Sequence, residues 1–259
     1  MTINPYEPEM VKIKKVVDEN PEIKTFVLDK KMHFLPGQFV QVSLPGFGEA
    51  PISISSYPDL ELTFRPVGSV TDDLYKMRPR NKIGIRGPYG NPYPFDYLKG
   101  KDILLISGGC GLAPIRSFID YYLLNKKHFS SLVLFYGARN PKSIIYKHEL
   151  EKWKKHFSVH VTVDEADKNW KGNVGVVTKL LGNFKMPKNP VAIVCGPPIM
   201  FKFVSQMLNV KGVSDDKIIV SFERNMRCGI GKCFHCNIGS KLVCKDGPNF
   251  KWSEVKGLE

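Results

Sequence analysis

Residues 102–125 read "DILLISGGCGLAPIRSFIDYYLLN", and three successive textures within them set the fold. "DILLIS" is an almost unbroken apolar run, as expected of a strand covered on both faces of a parallel sheet. "APIRSFIDYYLLN" places Ile115, Phe118, Ile119, Tyr122 and Leu123 at the i, i+3, i+4, i+7, i+8 spacing of a helix with one apolar face. Between them, Gly108, Gly109 and Gly111 permit positive φ angles and close backbone approach. Pro114 suits a first helical turn, where its missing N–H costs nothing. Free amides at the helix start and the helix dipole together make a seat for a pyrophosphate. A glycine turn kept only for packing is the competing reading of the same loop.

Downstream the alternation continues. "LVLFYG" (132–137), "VHVTV" (159–163), "VAIVCG" (191–196) and "KIIVSF" (217–222) read as strands. Tyr146, Leu150, Trp153 and Phe157 stripe one helix, and "IMFKFVSQML" (199–208) forms another. Strand–helix repetition of this kind predicts a parallel sheet with right-handed crossovers. Upstream the texture differs. "MVKIKKVV", "IKTFVLD", "QFVQVSL", "LELTFR" and "NKIGIRG" are short β-rich runs between residues 10 and 87, broken by turns, which predicts a small antiparallel barrel. One short helix fits between Thr71 and Met77. "GPYGNPYPF" (87–95) extends neither a strand nor a helix and marks a domain junction. The expected division is a barrel over 1–97, an α/β domain over 98–222 and a small third segment over 223–259.

Composition narrows the function classes. The chain has 259 residues, 42% of them hydrophobic, and a formal charge of +13. The lysines are scattered rather than gathered into a basic tail, with no interleaved aromatics, which argues against nucleic acid. The positive excess suits anionic ligands or an acidic protein partner. No apolar run approaches the roughly 18 residues of a membrane span. The opening "MTINPYEPEM" lacks the basic and apolar regions of a signal peptide, so the expected location is the cytoplasm, where thiols stay reduced. Clustered cysteines there indicate a metal before disulfides.

Four of the six cysteines fall in "SFERNMRCGIGKCFHCNIGSKLVCKDGPNF" (221–250). Cys228, Cys233, Cys236 and Cys244 are spaced C-x4-C-x2-C-x7-C. The opening matches the plant-type [2Fe–2S] pattern. Zinc is the alternative, since four thiolates hold it tetrahedrally, but its usual pair of short knuckles is incomplete here. A Rieske centre needs two histidine ligands, and the segment offers only His235.

The nucleotide reading has gaps. The glycine loop is not the standard dinucleotide fingerprint, and the acidic residue that binds a ribose about 20 residues on is missing. The next strand ends in "YGARNPKS" (136–143), where Arg139 is placed to meet a 2′-phosphate. NADH and NADPH both remain open.

Taken together, the barrel, "GGCGLAP" (108–114) and "CGPPIM" (195–200) resemble the ferredoxin–NADP reductase superfamily over essentially the whole chain. With "ERNMRCGIGKCFHC" and "VCKDGP" added, the chain is similar to the gamma subunits of NAD(P)-linked sulfhydrogenases and to the electron-transfer subunits of anaerobic sulfite reductases. The electron-transfer subunits of dihydroorotate dehydrogenase are related to them. The resemblance implies FAD in the cleft between barrel and sheet, NAD(P)H on the glycine loop, a [2Fe–2S] cluster on the four cysteines, and a catalytic or electron-accepting partner subunit. A free-standing ferredoxin-type NAD(P)H reductase is the other arrangement.

The family's flavin motif R-x-Y-S corresponds to "APISISS" (50–56). Ser53 matches its serine, while Ala50 and Ile52 replace the arginine and tyrosine. Pro51, Ile52, Ser53 and Ile54 are thus expected at the flavin. In "TFRPVGSVT" (63–71), Arg65 is the expected partner of the FAD phosphates, with Val67, Gly68, Val70 and Thr71 lining the same site. In "CGPPIM", the resemblance places Cys195 near the reacting nicotinamide carbon, with Gly196 and Pro197 shaping the turn. As a lone residue, Cys195 reads equally well as a core cysteine that ends a strand.

Overall fold

The computed structural model describes residues 4–258; the first three positions of the N-terminal stretch quoted above lie outside the described residues. The barrel is built from β1 (Glu9–Asn20), β2 (Ile23–Leu28), β3 (Phe39–Leu44), β4 (Gly48–Ser53), β5 (Glu61–Phe64) and β6 (Lys82–Tyr89). These run antiparallel in the order β4-β3-β6-β1-β2-β5, and a bridge between Ile54 and Leu62 draws the two edges together. Alternation predicts the inward set: Val11, Ile13, Val40, Val42, Ile83 and Ile85 are buried in one core. Helix α1 (Ser69–Lys76) follows β5, as the short helix expected there.

Strand β4 has no counterpart in the sequence pattern, because Pro51 interrupts it. It pairs only with β3. Proline is tolerated at such an edge, where its missing donor leaves no ladder bond unmade. Strand β3 departs from the pattern in another way. All six of its residues are buried, although alternation predicts one wet face. Its outward face is covered by the C-terminal segment at Phe39 and Gln41 and by Pro8 near Ser43.

Helix α2 (Phe95–Leu98) leads from the proline-rich junction into the second domain. There follow β7 (Asp102–Gly108), α3 (Leu112–Leu124), β8 (Ser131–Ala138), α4 (Lys147–Trp153), β9 (Ser158–Val163), β10 (Asn173–Val174) and α5 (Val177–Asn183). Then come β11 (Pro190–Cys195), α6 (Pro198–Val210) and β12 (Ile218–Ser221). The last segment holds the hairpin β13 (Asn237–Ile238) and β14 (Lys241–Leu242), α7 (Val243–Asp246), β15 (Asn249–Lys251) and α8 (Trp252–Val255).

The large sheet has the order β10-β9-β8-β7-β11-β12-β15. All its pairings are parallel except that of β12 with β15. The cysteine-bearing segment therefore returns a strand to the nucleotide sheet instead of hanging from its end. Phe250 of β15 pairs with Val220, and Cys236, Cys244, Trp252 and Val255 share a core with Phe201 and Val204 of α6.

Barrel and sheet are joined by a polar knot. Arg116 of α3 donates to the Ser55 carbonyl at 3.0 Å and to the Glu61 carboxylate at 2.7 Å, both on the barrel. It also pairs with Glu149 at 2.8 Å. Tyr146 donates its hydroxyl to Thr63 at 2.6 Å, and Asp120 accepts from the Tyr57 amide at 3.1 Å. No helix among the described residues is long and apolar enough to cross a membrane.

Candidate functional site

Strand order locates the nucleotide crevice. From β7 the chain moves outward through β8, β9 and β10, then returns to place β11 on the opposite side of β7. The loops that leave β7 and β11 thus diverge at a topological switch point, where open α/β sheets take their ligands. The two glycine motifs meet there. A Cβ on Gly108 would stand 2.9 Å from the Met200 sulfur, and one on Gly196 would fall 2.5 Å from Met200 Cε. At Gly111 it would stand 2.5 Å from the Cys195 carbonyl oxygen.

Only Gly109 of the three loop glycines has a positive φ, +55°, and a Cβ there would meet nothing within 4 Å. The loop therefore divides its work. Gly108 and Gly111 allow two turns to pack against each other, and Gly109 leaves open backbone facing the crevice. Pro114 lies in the first turn of α3. Arg139 is exposed just beyond the end of β8, on the neighbouring rim.

Cys195 ends β11 with 1% of its surface exposed. Burial, then Glu223 and Cys110, push its thiol well above the ordinary range. The structure thus gives this side chain the setting of a strand-ending core cysteine, and it presents Gly196 and Pro197 at the turn. Cys110 is likewise pushed up to about 12 by burial and by Glu223, with Arg65 opposing.

On the barrel side, Ile52 and Ile54 point into the barrel core, 8% and 0% exposed. Ser53 is half-buried opposite Phe39, and Pro51 lies opposite Gln41. Arg65 is exposed and forms no hydrogen bond or ion pair among the described residues. Beside it, the Val67 amide donates to Thr71 Oγ at 2.9 Å, and that hydroxyl donates to the Gly68 carbonyl at 3.0 Å. Gly68 precedes α1 with open space where a Cβ would lie. An unpaired guanidinium beside an uncrowded helix start fits an anionic phosphate ligand. Glu223 also interacts with Arg65; its side chain is exposed, and partial loss of hydration raises its carboxyl while Arg65 pulls the other way.

The cysteine loop is organised around its sulfurs. The Gly231 amide donates to Cys244 Sγ at 3.1 Å, and the Lys232 and Cys233 amides donate to Cys228 Sγ at 3.3 and 3.4 Å. The Cys244 amide points at Cys236 Sγ, 3.5 Å away. Gly229 and Gly231, at φ +73° and +75°, give the turns that aim these amides inward, a conformation that costs glycine nothing. The four side chains influence one another: Cys233 acts on Cys228, and both Cys236 and Cys228 act on Cys244. Among the described residues no three Cys, His, Asp or Glu side chains converge on one ion site.

Burial pushes Cys228 up, but the amides of Ile230, Cys233 and Lys232 outweigh it and bring the thiol down to about 6. Such a group is a ready thiolate donor. Cys236 and Cys244 are buried, whereas Cys233 is exposed. Donor set and inward amide dipoles fit an iron–sulfur centre. His235 is exposed.

Several residues of this site carry no sequence signal. Arg86, 5% exposed, donates from Nη1 and Nη2 to the Cys228 carbonyl, each at 3.3 Å, and is paired with Glu49. Asn249 donates to the carbonyls of Gly37 at 3.0 Å and Asn91 at 2.9 Å, which ties the barrel loops to the segment after Cys244. In sequence these residues look like ordinary strand and turn polar groups. No local pattern shows what will cover them.

Comparison with known proteins agrees with this geometry. Residues 105–206 match the family described as an oxidoreductase NAD-binding domain, and residues 223–256 match the iron–sulfur cluster binding domain of dihydroorotate dehydrogenase B. The chain is 38% identical to the sulfhydrogenase 1 subunit gamma of Pyrococcus furiosus, covering 97% of this chain and 93% of that one. It is 34% identical to the probable dihydroorotate dehydrogenase B (NAD(+)) electron transfer subunit of Thermococcus kodakarensis, covering 96% and 98%.

Among solved structures, it superposes with a TM-score of 0.80 on a chain of an NADH-dependent reduced ferredoxin–NADP oxidoreductase, at 25% identity over 99% of this chain and 91% of that one. The fold is shared with a ferredoxin–NADP reductase from Neisseria gonorrhoeae, at a TM-score of 0.72 and 23% identity over 83% and 98%. With identity above 30% across almost the full length of both chains, this protein belongs to the family that contains the sulfhydrogenase gamma subunits and the electron-transfer subunits of dihydroorotate dehydrogenase B.

Proposed function

We propose that the chain is the electron-transfer, diaphorase-type subunit of a cytoplasmic multi-subunit oxidoreductase. In this reading it carries electrons between NAD(P)H, FAD and a [2Fe–2S] cluster, to or from a catalytic partner subunit of hydrogenase or sulfur-reducing type. Bound together, a flavin and an iron–sulfur cluster supply the change from two-electron hydride chemistry to one-electron transfer. The chain's own residues position. Gly109 leaves open backbone at the start of α3 for a pyrophosphate, and Gly196 and Pro197 shape the opposite wall. Arg65 and the start of α1 face the flavin phosphates, with Ser53 on the adjoining edge strand. By this division, 1–97 holds FAD, 98–222 holds NAD(P)H and 223–259 holds the cluster.

The observation that carries this reading is the set of backbone amides of Gly231, Lys232, Cys233 and Cys244 aimed at the sulfurs of the four-cysteine loop, a loop seated against the barrel face that adjoins the flavin motif. Four thiolates also hold zinc, but the C-x4-C-x2-C opening of the loop is the spacing of plant-type two-iron centres. The test is a visible spectrum, iron and acid-labile sulfide analysis, and EPR after dithionite reduction of anaerobically purified protein. Flavin and cluster signals, with a co-purifying catalytic subunit, are expected. A colourless zinc protein, or a fully active monomer acting on one small organic substrate, overturns the reading.

A further inference from the structure

Gln41 lies at the centre of β3, between Pro51 of the flavin-motif strand and Arg86 of β6, its direct cross-strand partners. Directly opposed residues on adjacent strands project from the same face. On this sheet that is the face away from the barrel core, since the neighbours Val40 and Val42 fill the interior. The outward face is nevertheless closed: Gln41 is 0% exposed. What closes it is the turn after the first cluster cysteine. A Cβ on Gly229 would stand 3.0 Å from Gln41 Cγ and 3.1 Å from its Nε2.

Both polar atoms of this carboxamide, Nε2 and Oε1, lack a hydrogen-bond partner among the described residues. A buried amide with two donors and an acceptor unsatisfied is costly to keep, and an apolar side chain of the same length fills the space more cheaply. Beside it, Arg86 places a paired guanidinium on the Cys228 carbonyl. The barrel thus holds a carboxamide and a cation against the two residues, Cys228 and Gly229, that begin the metal loop.

We infer that Gln41 is a positioning residue for the electron path. With a cluster bound, its unsatisfied Nε2 would supply a donor to the sulfur shell at the Cys228 end, while Arg86 fixes the backbone from which that thiolate hangs. Hydrogen bonds to cluster sulfurs and nearby charge set the reduction potential of such centres. A donor stabilises the more negative, reduced form and so raises the potential. Gln41 also adjoins Pro51, so one side chain touches both the strand assigned to the flavin and the loop assigned to the cluster. This inference rests on the proposed cluster.

The test is an EPR-monitored redox titration of the full-length holoprotein carrying Gln41→Leu and, separately, Gln41→Glu, with iron content and NADH-dependent flavin reduction measured alongside. Leucine removes the donor at nearly constant volume. Glutamate removes it and adds an acceptor or a charge. The expected order of cluster potentials is unmodified protein, then Gln41→Leu, then Gln41→Glu lowest. The first step should be a roughly tenfold change in the one-electron equilibrium, ~59 mV, with flavin reduction by NADH within about twofold of the unmodified rate. A substitution that only loosens packing changes iron retention without producing this order. If the unmodified protein gives no cluster signal, the functional reading itself fails. If the signal is present and neither substitution moves its potential, or the order is reversed, only the role of Gln41 is overturned.

Discussion

Gly111 stands so close to Cys195 that a Cβ on the glycine would fall 2.5 Å from the cysteine's carbonyl oxygen. Backbone occupies that space, so nothing flexible can yield. Gly111→Ala therefore forces the β7 and β11 turns apart, an overpacking cost of about 1–3 kcal/mol. Thermal denaturation should show the loss. NADH-dependent flavin reduction should fall by more than tenfold, while chemical reduction of the flavin by dithionite is retained. Unchanged kinetics with NADH would remove the switch-point loops from the nucleotide site.

Cys233 is exposed, whereas Cys236 is 2% exposed and sits in the core shared with α6. Serine at either position should abolish the EPR signal of the reduced cluster and leave hydride transfer to flavin largely intact. Their effects on folding should differ. Cys236→Ser buries a hydroxyl among apolar side chains at a cost of about 1–3 kcal/mol, so its melting temperature should lie clearly below that of Cys233→Ser. If hydride transfer also disappears in a folded variant, the proposed order of carriers is wrong.

Arg116 joins barrel to sheet through Glu61 and Glu149. Arg116→Met leaves those carboxylates partly buried without their cation, and about 3–5 kcal/mol of stability should be lost. Urea unfolding measures this directly. A loss below about 1 kcal/mol would show that the knot contributes little.

Asp120 sits beside the same arginine, yet burial pushes its carboxyl up to about 7, against the pull of Arg116. A carboxyl raised on folding binds more protons in the native state than in the unfolded one. Stability from this group is therefore present at low pH and is lost as pH rises from the ordinary carboxyl range through about 7. Asp120→Asn should match the unmodified protein near pH 4 and become progressively more stable relative to it towards pH 8. Urea midpoints across that range test the sign, and a gap that widens on acidification contradicts it.

Phe234, next to exposed Cys233, is 65% exposed and holds a left-handed φ of +57°. That conformation costs a side chain on the order of 1 kcal/mol. Phe234→Gly should leave the cluster signal unchanged, with stability equal or slightly raised. In the proposed complex it should slow transfer to the partner subunit, measured as partner turnover driven by NADH. Unaltered turnover would show that the ring takes no part in that contact.

The sequence by itself determined the two textures of the chain, antiparallel before the proline-rich junction and parallel after it. It also determined the glycine loop on the first strand of the sheet and the grouping of four thiolates. These are short-range properties: the period of apolar residues, the spacing of cysteines, and the places where only glycine or proline suits the backbone. Only the tertiary structure decided what covers the strands. Gln41 and Arg86 occupy polar positions that alternation assigns to water, and the cysteine loop closes over them instead. Cys195 ends its strand buried, with its carbonyl packed against the Gly111 turn, and β15 joins the sheet across a long stretch of chain. Alternation separates one face of a strand from the other, but whether the outward face meets solvent or another segment depends on packing between residues far apart in sequence. No local pattern records that.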